Sequence, residues 1–404
     1  MEAIIRSHYL EKLNILKDKN FIKVATGIRR CGKSTLMLQF QDLLRSQNAN
    51  VSILAINMDQ PEFRFLAEKN WKEIYDFIIE NLDQNQTNYV FVDEVQNVPE
   101  FEKLLEGLYV HPRIDLYVTG SNAFLLSSEL ATLLTGRAFE INILPFSFQE
   151  YLEFTKKTSN PDRAFAEYIR TGGFPEAIRL SVEGHHLSIE YLQTVFKNIY
   201  ENDISKRHTI YGEESYQEVV HFLIDSVGSR VSAGNIAKVL TANKKKIDNK
   251  TVSRYIEFLV ESYLFYKVNR YDIKGKQHLA TQEKYYLVDL GFRTALLGKE
   301  LTSDAGHLLE NIIYLELIRR NYQVWIGKVN NLEIDFVVRS KEGMTQYIQV
   351  SQTVQDKQTL ARELAPLNSI SDHFEKLLIT MDYDTGTYNG IKKVNAIDWL
   401  LQDL

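Results

Sequence analysis

Up to about residue 143 the chain alternates short apolar runs with amphipathic stretches: FIKVAT, STLMLQFQDLLRSQ, VSILAINM, WKEIYDFIIENL, YVFVDEV, FEKLLEGLYV and IDLYVTG. Apolar runs of five to seven residues suit strands buried on both faces, and the longer stretches carry the helical period. This alternation predicts a parallel sheet covered by helices on both sides. From about Leu144 the strand signals stop. AFAEYIR, PEAIRL and LSIEYLQTVFKNIYENDI read as helices interrupted at Gly172-Gly173, with Pro175 opening a new helix.

Between about Ser215 and Leu290 the pattern becomes three helices and a β-ribbon, SYQEVVHFLIDSVG, SAGNIAKVL, DNKTVSRYIEFLVESY, then FYKVNRYD and KYYLVDL. Ser232 and Asp248 suit the N-caps of the second and third helices, and the outline is that of a winged helix-turn-helix. The remainder reads as a long helix, three strands, a helix and the strand LLITMD. The expected fold class is therefore α/β, a P-loop type parallel sheet with a helical lid, a winged helix and a C-terminal α/β domain. The expected divisions are residues 1–145, 146–212, 213–295 and 296–404.

Composition narrows the function classes. The 404 residues are 44% hydrophobic and 25% charged, ordinary values for globular domains. A net charge of −6 excludes an overall basic coat for nucleic acid and leaves room only for a local patch. The single cysteine has no disulfide partner and is too little thiolate for a zinc site, which fits a reducing compartment, and the expected location is the cytoplasm. The N-terminus places Glu2 and His8 where a signal peptide needs an unbroken apolar core, and no run approaches the length of a membrane span. No membrane partner is expected.

Residues 27–34, Gly-Ile-Arg-Arg-Cys-Gly-Lys-Ser, satisfy the phosphate-loop pattern G-x-x-x-x-G-K-[ST] in full. Gly27 and Gly32 let the backbone curl so that its N–H groups face an anion, with Arg29, Arg30 and Cys31 between them. Lys33 is placed to reach the β- and γ-phosphates of ATP, Ser34 to hold Mg²⁺, and Thr35 stands in the first turn of the helix whose positive end faces the phosphates. About sixty residues on, the apolar run YVFV ends in Asp93 and Glu94. Asp93 suits the second Mg²⁺ contact and Glu94 the residue that orients the attacking water. After the next strand, Ser121 and Asn122 read either as a γ-phosphate sensor or as a helix cap. Arg137, after a leucine-rich helix, reads either as a finger acting in trans within a homo-oligomer or as a surface arginine.

Taken together, TGIRRCGKST, VFVDEVQNV, VTGSN, LLTGR, LPFSFQEY and YIRTGGFPE resemble a widespread family of prokaryotic AAA-type ATPases whose core precedes a C-terminal domain of unknown function. The resemblance spans almost the whole chain. It implies a P-loop ATPase core, a winged helix and a restriction-endonuclease-like C-terminal fold.

A nuclease core of that last kind needs a carboxylate on one strand and (D/E)-x-K on the next, often with a helical glutamate, to hold Mg²⁺ and activate water. Glu310 and Asp335 fit, but Gln349 stands where an anionic ligand belongs and Ser351 where the lysine belongs. Lys341 lies in the intervening turn. The expectation is a catalytically inactive domain kept for binding or assembly, with Glu316 and Glu333 as solvated surface charges. Lys244, Lys245, Lys246, Lys250 and Arg254 surround one acid, Asp248, in the winged helix. That cluster fits DNA phosphates, and it equally fits a solvated loop on a protein-contact module.

The expected function is ATP binding and hydrolysis that controls domain arrangement and engagement of a partner protein; the alternative is an ATP-regulated DNA-binding or nuclease-like effector.

Overall fold

A computed structural model of the chain describes residues 4–67, 69–121, 136–242, 247–299 and 304–402. They fall into two compact units, Ala3–Ile143 with Glu261–Tyr263, and Leu144–Val260 with Leu264–Leu404.

The first unit is built on a five-stranded, all-parallel sheet in the order β2-β3-β4-β1-β5, where β1 is Ile22–Thr26, β2 Ser52–Asn57, β3 Asn88–Asp93, β4 Ile114–Gly120 and β5 Ala138–Asn142. Every residue of β1 is buried, as a strand with helices on both faces requires. Ile22, Val24, Val90, Val92, Leu116 and Val118 pack with the helices Trp71–Glu80 and Phe101–Tyr109. On the other face, Phe40 of the helix Lys33–Gln47 meets Phe91 and Tyr117. The alternation expected from sequence is present, and β5 adds a strand it did not reveal. Ala138–Asn142 is only partly buried and carries Glu140, which accepts from the Thr26 hydroxyl at 2.6 Å. A half-exposed edge strand with an exposed acid at its centre lacks the continuous apolar run that marks its neighbours.

The second unit opens with helices Phe148–Thr155, Pro161–Thr171, Pro175–Glu183 and His185–Asn198, followed by Glu213–Asp225, Ala233–Ala242 and Asn249–Glu261. Its sheet has eight strands in the order β12-β13-β11-β10-β9-β8-β6-β7. The hairpin expected to be the wing is β6 (Phe265–Asp272) and β7 (Gln277–Leu287). β6 pairs in parallel with β8 (Gln323–Val329), so the expected division at residues 295/296 falls within one sheet. β9 (Leu332–Arg339), β10 (Thr345–Ser351) and β11 (Glu375–Thr380) continue it, and β12 (Gly386–Tyr388) and β13 (Ile391–Asn395) close it. The helix Lys357–Asn368 covers one face through Leu364 and Leu367. No helix among the described residues is long and apolar enough to cross a membrane.

Candidate phosphate site and a second charged cleft

Between β1 and the helix Lys33–Gln47 the chain makes the tight loop that the glycine spacing predicts. Gly27 and Gly32 adopt φ of 138° and 102°, and a Cβ on Gly27 would stand 2.2 Å from the Ile143 carbonyl oxygen, so only glycine fits there. Arg30 is also left-handed, at φ 70°, with its side chain exposed. The Cys31 side chain packs into the interior. It is fully buried and its thiol donates to the Ile143 carbonyl at 3.2 Å. Burial pushes the thiol above its usual range against the pull of Lys33 and Arg6. What the loop offers at this position is backbone.

Lys33 lies over the loop, its amine donating to the carbonyls of Gly27 at 2.9 Å and Ile28 at 3.2 Å. The same amine donates to the Ser121 hydroxyl at 3.0 Å, which in turn donates to Glu94 at 2.9 Å. Strand order explains the link. β4 lies between β1 and β3, so Ser121, just past β4, stands between Glu94, just past β3, and the loop and helix start that follow β1. Glu94 is buried and left-handed, at φ 55°, a cost of the kind that concentrates at functional positions. Burial pushes its carboxyl up, but the Lys33 charge, hydrogen bonds from Gln96 and Ser121, and the Arg29 guanidinium outweigh it and hold the group below the usual carboxylate range. Glu94 is thus an anion aimed at a cationic loop.

Asp93 ends β3 and accepts from Asn57 Nδ2 at 2.8 Å and from the Thr119 hydroxyl. Burial raises its pKa, the hydrogen bonds from Thr119 and Ser34 oppose that, and Glu94 next to it adds to the rise. Ser34 and Asp93 therefore meet, as a shared Mg²⁺ contact requires, and Thr35 is in the first turn of the following helix. Asn57 and Thr119 were not singled out from sequence. Both stand at the carboxyl ends of strands, where ligands of open α/β sheets gather.

Asn122 lies outside the described residues. Arg137 does not join this site. Its carbonyl accepts from Ile22 N at the start of β1, so it is separated from the loop by the length of that strand, roughly 13 Å at about 3.3 Å per residue. Its guanidinium stands 3.9 Å from Glu106 and over the Tyr109 ring.

In the second unit Glu310, Asp335, Gln349 and Ser351 come together as expected, lining a cleft of about 600 Å³. An unforeseen residue completes the group. Lys284 of β7 donates to Glu310 at 2.7 Å and stands 3.1 Å from Glu333 and 3.7 Å from Asp335. Although burial opposes its charge, Glu310, Asp335 and Glu333 together raise the pKa of Lys284 above its usual value, so it is an ammonium. Asp335, fully buried beside Glu310, is pushed up to about 8. Its second oxygen accepts from Val350 N at 2.9 Å, and Gln349 donates to Glu363 at 2.9 Å. Glu333 is therefore not a solvated charge, since it also pairs with Arg230, and neither is Glu316, which is buried against Arg319 at 3.2 Å and Arg320 at 2.9 Å. Lys341 is exposed beyond the far end of β9 from Asp335. Among the described residues no group of three or more His, Cys, Asp or Glu side chains is arranged to hold a metal ion.

Of the basic cluster, Lys244, Lys245 and Lys246 lie outside the described residues, while Lys250 and Arg254 are exposed on the helix Asn249–Glu261.

Residues 19–152 match a family model described as an AAA domain, and residues 162–303 match one described as a domain of unknown function. An uncharacterized protein of Haemophilus influenzae is 38% identical to this chain over 99% of both. An uncharacterized protein of Methanocaldococcus jannaschii is 27% identical, over 94% of this chain and 85% of its own length. A Walker-type ATPase of Pyrococcus abyssi, whose structure is solved, superposes with a TM-score of 0.52 at 16% identity, covering 73% of this chain and 96% of that one, a likeness of fold.

Proposed function

As this chain belongs, with its Haemophilus influenzae relative, to a family of AAA-domain P-loop ATPases, we propose that it binds Mg·ATP in the loop Gly27–Ser34 and hydrolyses it with Glu94 orienting the water. The link from Lys33 through Ser121 to Glu94 carries this reading, because it ties the phosphate-binding cation to the acid at the water position. Lys33 is held by two loop carbonyls. A γ-phosphate offers that amine a stronger, anionic acceptor than the loop carbonyls, while Ser121 keeps its hydroxyl on Glu94. Glu94, anionic and walled by Ser121 and Gln96, accepts a hydrogen bond from the attacking water and holds it in line. Ser34 and Asp93 would hold Mg²⁺, which supplies charge neutralisation on the β- and γ-oxygens. Arg29 adds positive charge beside Glu94, and Arg30 exposes a second guanidinium at the loop's outer edge.

Turnover, in this reading, drives rearrangement of the chain beyond residue 144 and engagement of a partner protein. Arg137 acts only on a neighbouring copy, if the chain assembles into a homo-oligomer. The second charged cleft is a binding or structural element rather than a nuclease, because Lys284 already satisfies the carboxylates that a metal would need. Lys33→Ala tests the binding step. It is expected to abolish Mg·ATP binding in calorimetric titration while leaving the melting temperature of the nucleotide-free protein within a few degrees of wild type; unchanged affinity would sink the assignment.

A further inference from the structure

Across one face of the eight-stranded sheet runs a row of aromatic side chains that the ATPase reading does not use. His278 of β7 lies opposite Tyr271 of β6 in the hairpin register. Trp325 of β8 follows, then Val337 of β9, with which both Trp325 and Tyr347 of β10 are in register. Ring centroids are 5.4 Å apart for Tyr271 and His278, 6.1 Å for Tyr271 and Trp325, and 5.7 Å for His278 and Trp325. Phe374 adds a further ring 6.2 Å from Tyr347. The row borders a cleft of about 350 Å³.

The floor of this cleft is core, since Ile273, Val337 and Tyr347 pack with Leu364 and Leu367. Its upper rings are not covered. His278 is exposed, Phe374 is 49% exposed, and Tyr271 and Trp325 are partly buried. A core that had merely run out of helix would be rimmed by aliphatic or neutral polar groups. This one is rimmed by Arg339 and Lys276, both exposed and neither in an ion pair among the described residues. The acid on the rim, Asp372, accepts from the Tyr347 hydroxyl at 2.7 Å.

Partly exposed aromatic rings beside uncommitted cations suit planar bases joined by phosphates. We propose that this cleft binds single-stranded nucleic acid, with bases stacked on Trp325, Tyr271 and His278 and phosphates held by Arg339 and Lys276. A duplex does not fit, because its base faces are already stacked on one another, whereas a single strand presents them. The site is separate from the basic cluster around Lys250 and independent of the phosphate loop.

The test uses the full chain in nucleotide-free, low-salt buffer, with a fluorescein-labelled twenty-residue oligothymidylate followed by anisotropy. Oligothymidylate carries no adenine to compete for the ATP site. Binding is expected to weaken about 5- to 150-fold in Trp325→Ala, the range for loss of one stacked base. In Arg339→Gln the log–log salt slope should flatten by roughly 0.7, the value for one phosphate of a single strand. As a readout that does not depend on a truncated core residue, Trp71→Phe/Trp399→Phe leaves Trp325 as the one tryptophan, and its fluorescence should be quenched by the oligonucleotide. Replacing Lys244, Lys245, Lys246 and Lys250 by glutamine should leave this affinity unchanged. The proposal is overturned if no binding is detected, if binding survives both Trp325→Ala and Arg339→Gln, or if thymidine monophosphate quenches Trp325 at the same concentration as the oligonucleotide, which would mark a mononucleotide pocket.

Discussion

Lys284 donates to Glu310 at 2.7 Å and thereby places a fixed ammonium among Glu310, Glu333 and Asp335. Removing it leaves Glu310, Glu333 and Asp335 facing one another without their counter-charge. Breaking a buried ion pair from one side costs roughly 3–5 kcal/mol, so Lys284→Ala should melt well below wild type. A divalent cation can then take the vacated position. Mn²⁺ is expected to raise the melting temperature of the variant and leave that of the wild type unchanged, and neither protein should cleave DNA or RNA with Mg²⁺ or Mn²⁺. A variant indifferent to Mn²⁺ would show that the carboxylates neutralise themselves by protonation instead.

Cys31 gives a kinetic prediction. Its thiol is fully buried, bonded to the Ile143 carbonyl, and neutral at physiological pH because burial raises its pKa. Alkylation by iodoacetamide should therefore be slow in the native protein, speed up sharply in denaturant, and slow further with bound Mg·ATP as loop opening is suppressed. Labelling as fast as that of a free thiol would place the side chain on the surface.

Asp289 is buried in the second unit, where it accepts from Gly173 N at 2.6 Å and Gly291 N at 2.9 Å. Gly172 is required beside it, since a Cβ there would stand 1.8 Å from the carboxylate and φ is 81°. Burial pushes the carboxyl up to about 7 against the pull of Gly173, Gly291 and Phe174 N–H groups. The folded protein then binds more protons at this site than the unfolded one between the ordinary aspartate range and pH ~7, so its contribution to stability falls as pH rises through that window. Asn at this position cannot titrate. The stability difference between wild type and Asp289→Asn, from urea unfolding at pH 5 and pH 8, should shift against wild type at the higher pH; a constant difference would mean the carboxylate is ionised throughout.

The contrast between Lys33 and Lys284 shows what could be read from the chain alone. Lys33, Ser34, Asp93 and Glu94 lie in local patterns, because a phosphate loop and a strand-end acid pair are each made by contiguous residues; they meet as expected. Lys284 reaches its carboxylates from a hairpin that the sequence assigned to a different domain, and no spacing rule connects residue 284 with 310, 333 and 335. The same holds for Asn57 and Thr119, whose partner Asp93 is adjacent only through sheet order. Arg137 shows the converse. Its motif context suggested a finger acting on a neighbouring copy or a surface arginine, and its place at the entry of β5 shows only that it does not reach the phosphate loop of its own chain.

The division of labour between Lys33 and Glu94 is tested most directly by ATP turnover and Mg·ATP affinity measured side by side in wild type and Glu94→Gln. Glutamine keeps the shape and an acceptor oxygen, and it removes the charge that holds the water. Loss of a positioned base costs about 10²- to 10⁴-fold in rate, so hydrolysis should fall by at least about 100-fold while affinity stays within a few-fold of wild type. Wild-type turnover in Glu94→Gln would contradict the assignment of the water-positioning residue and, with it, the mechanism.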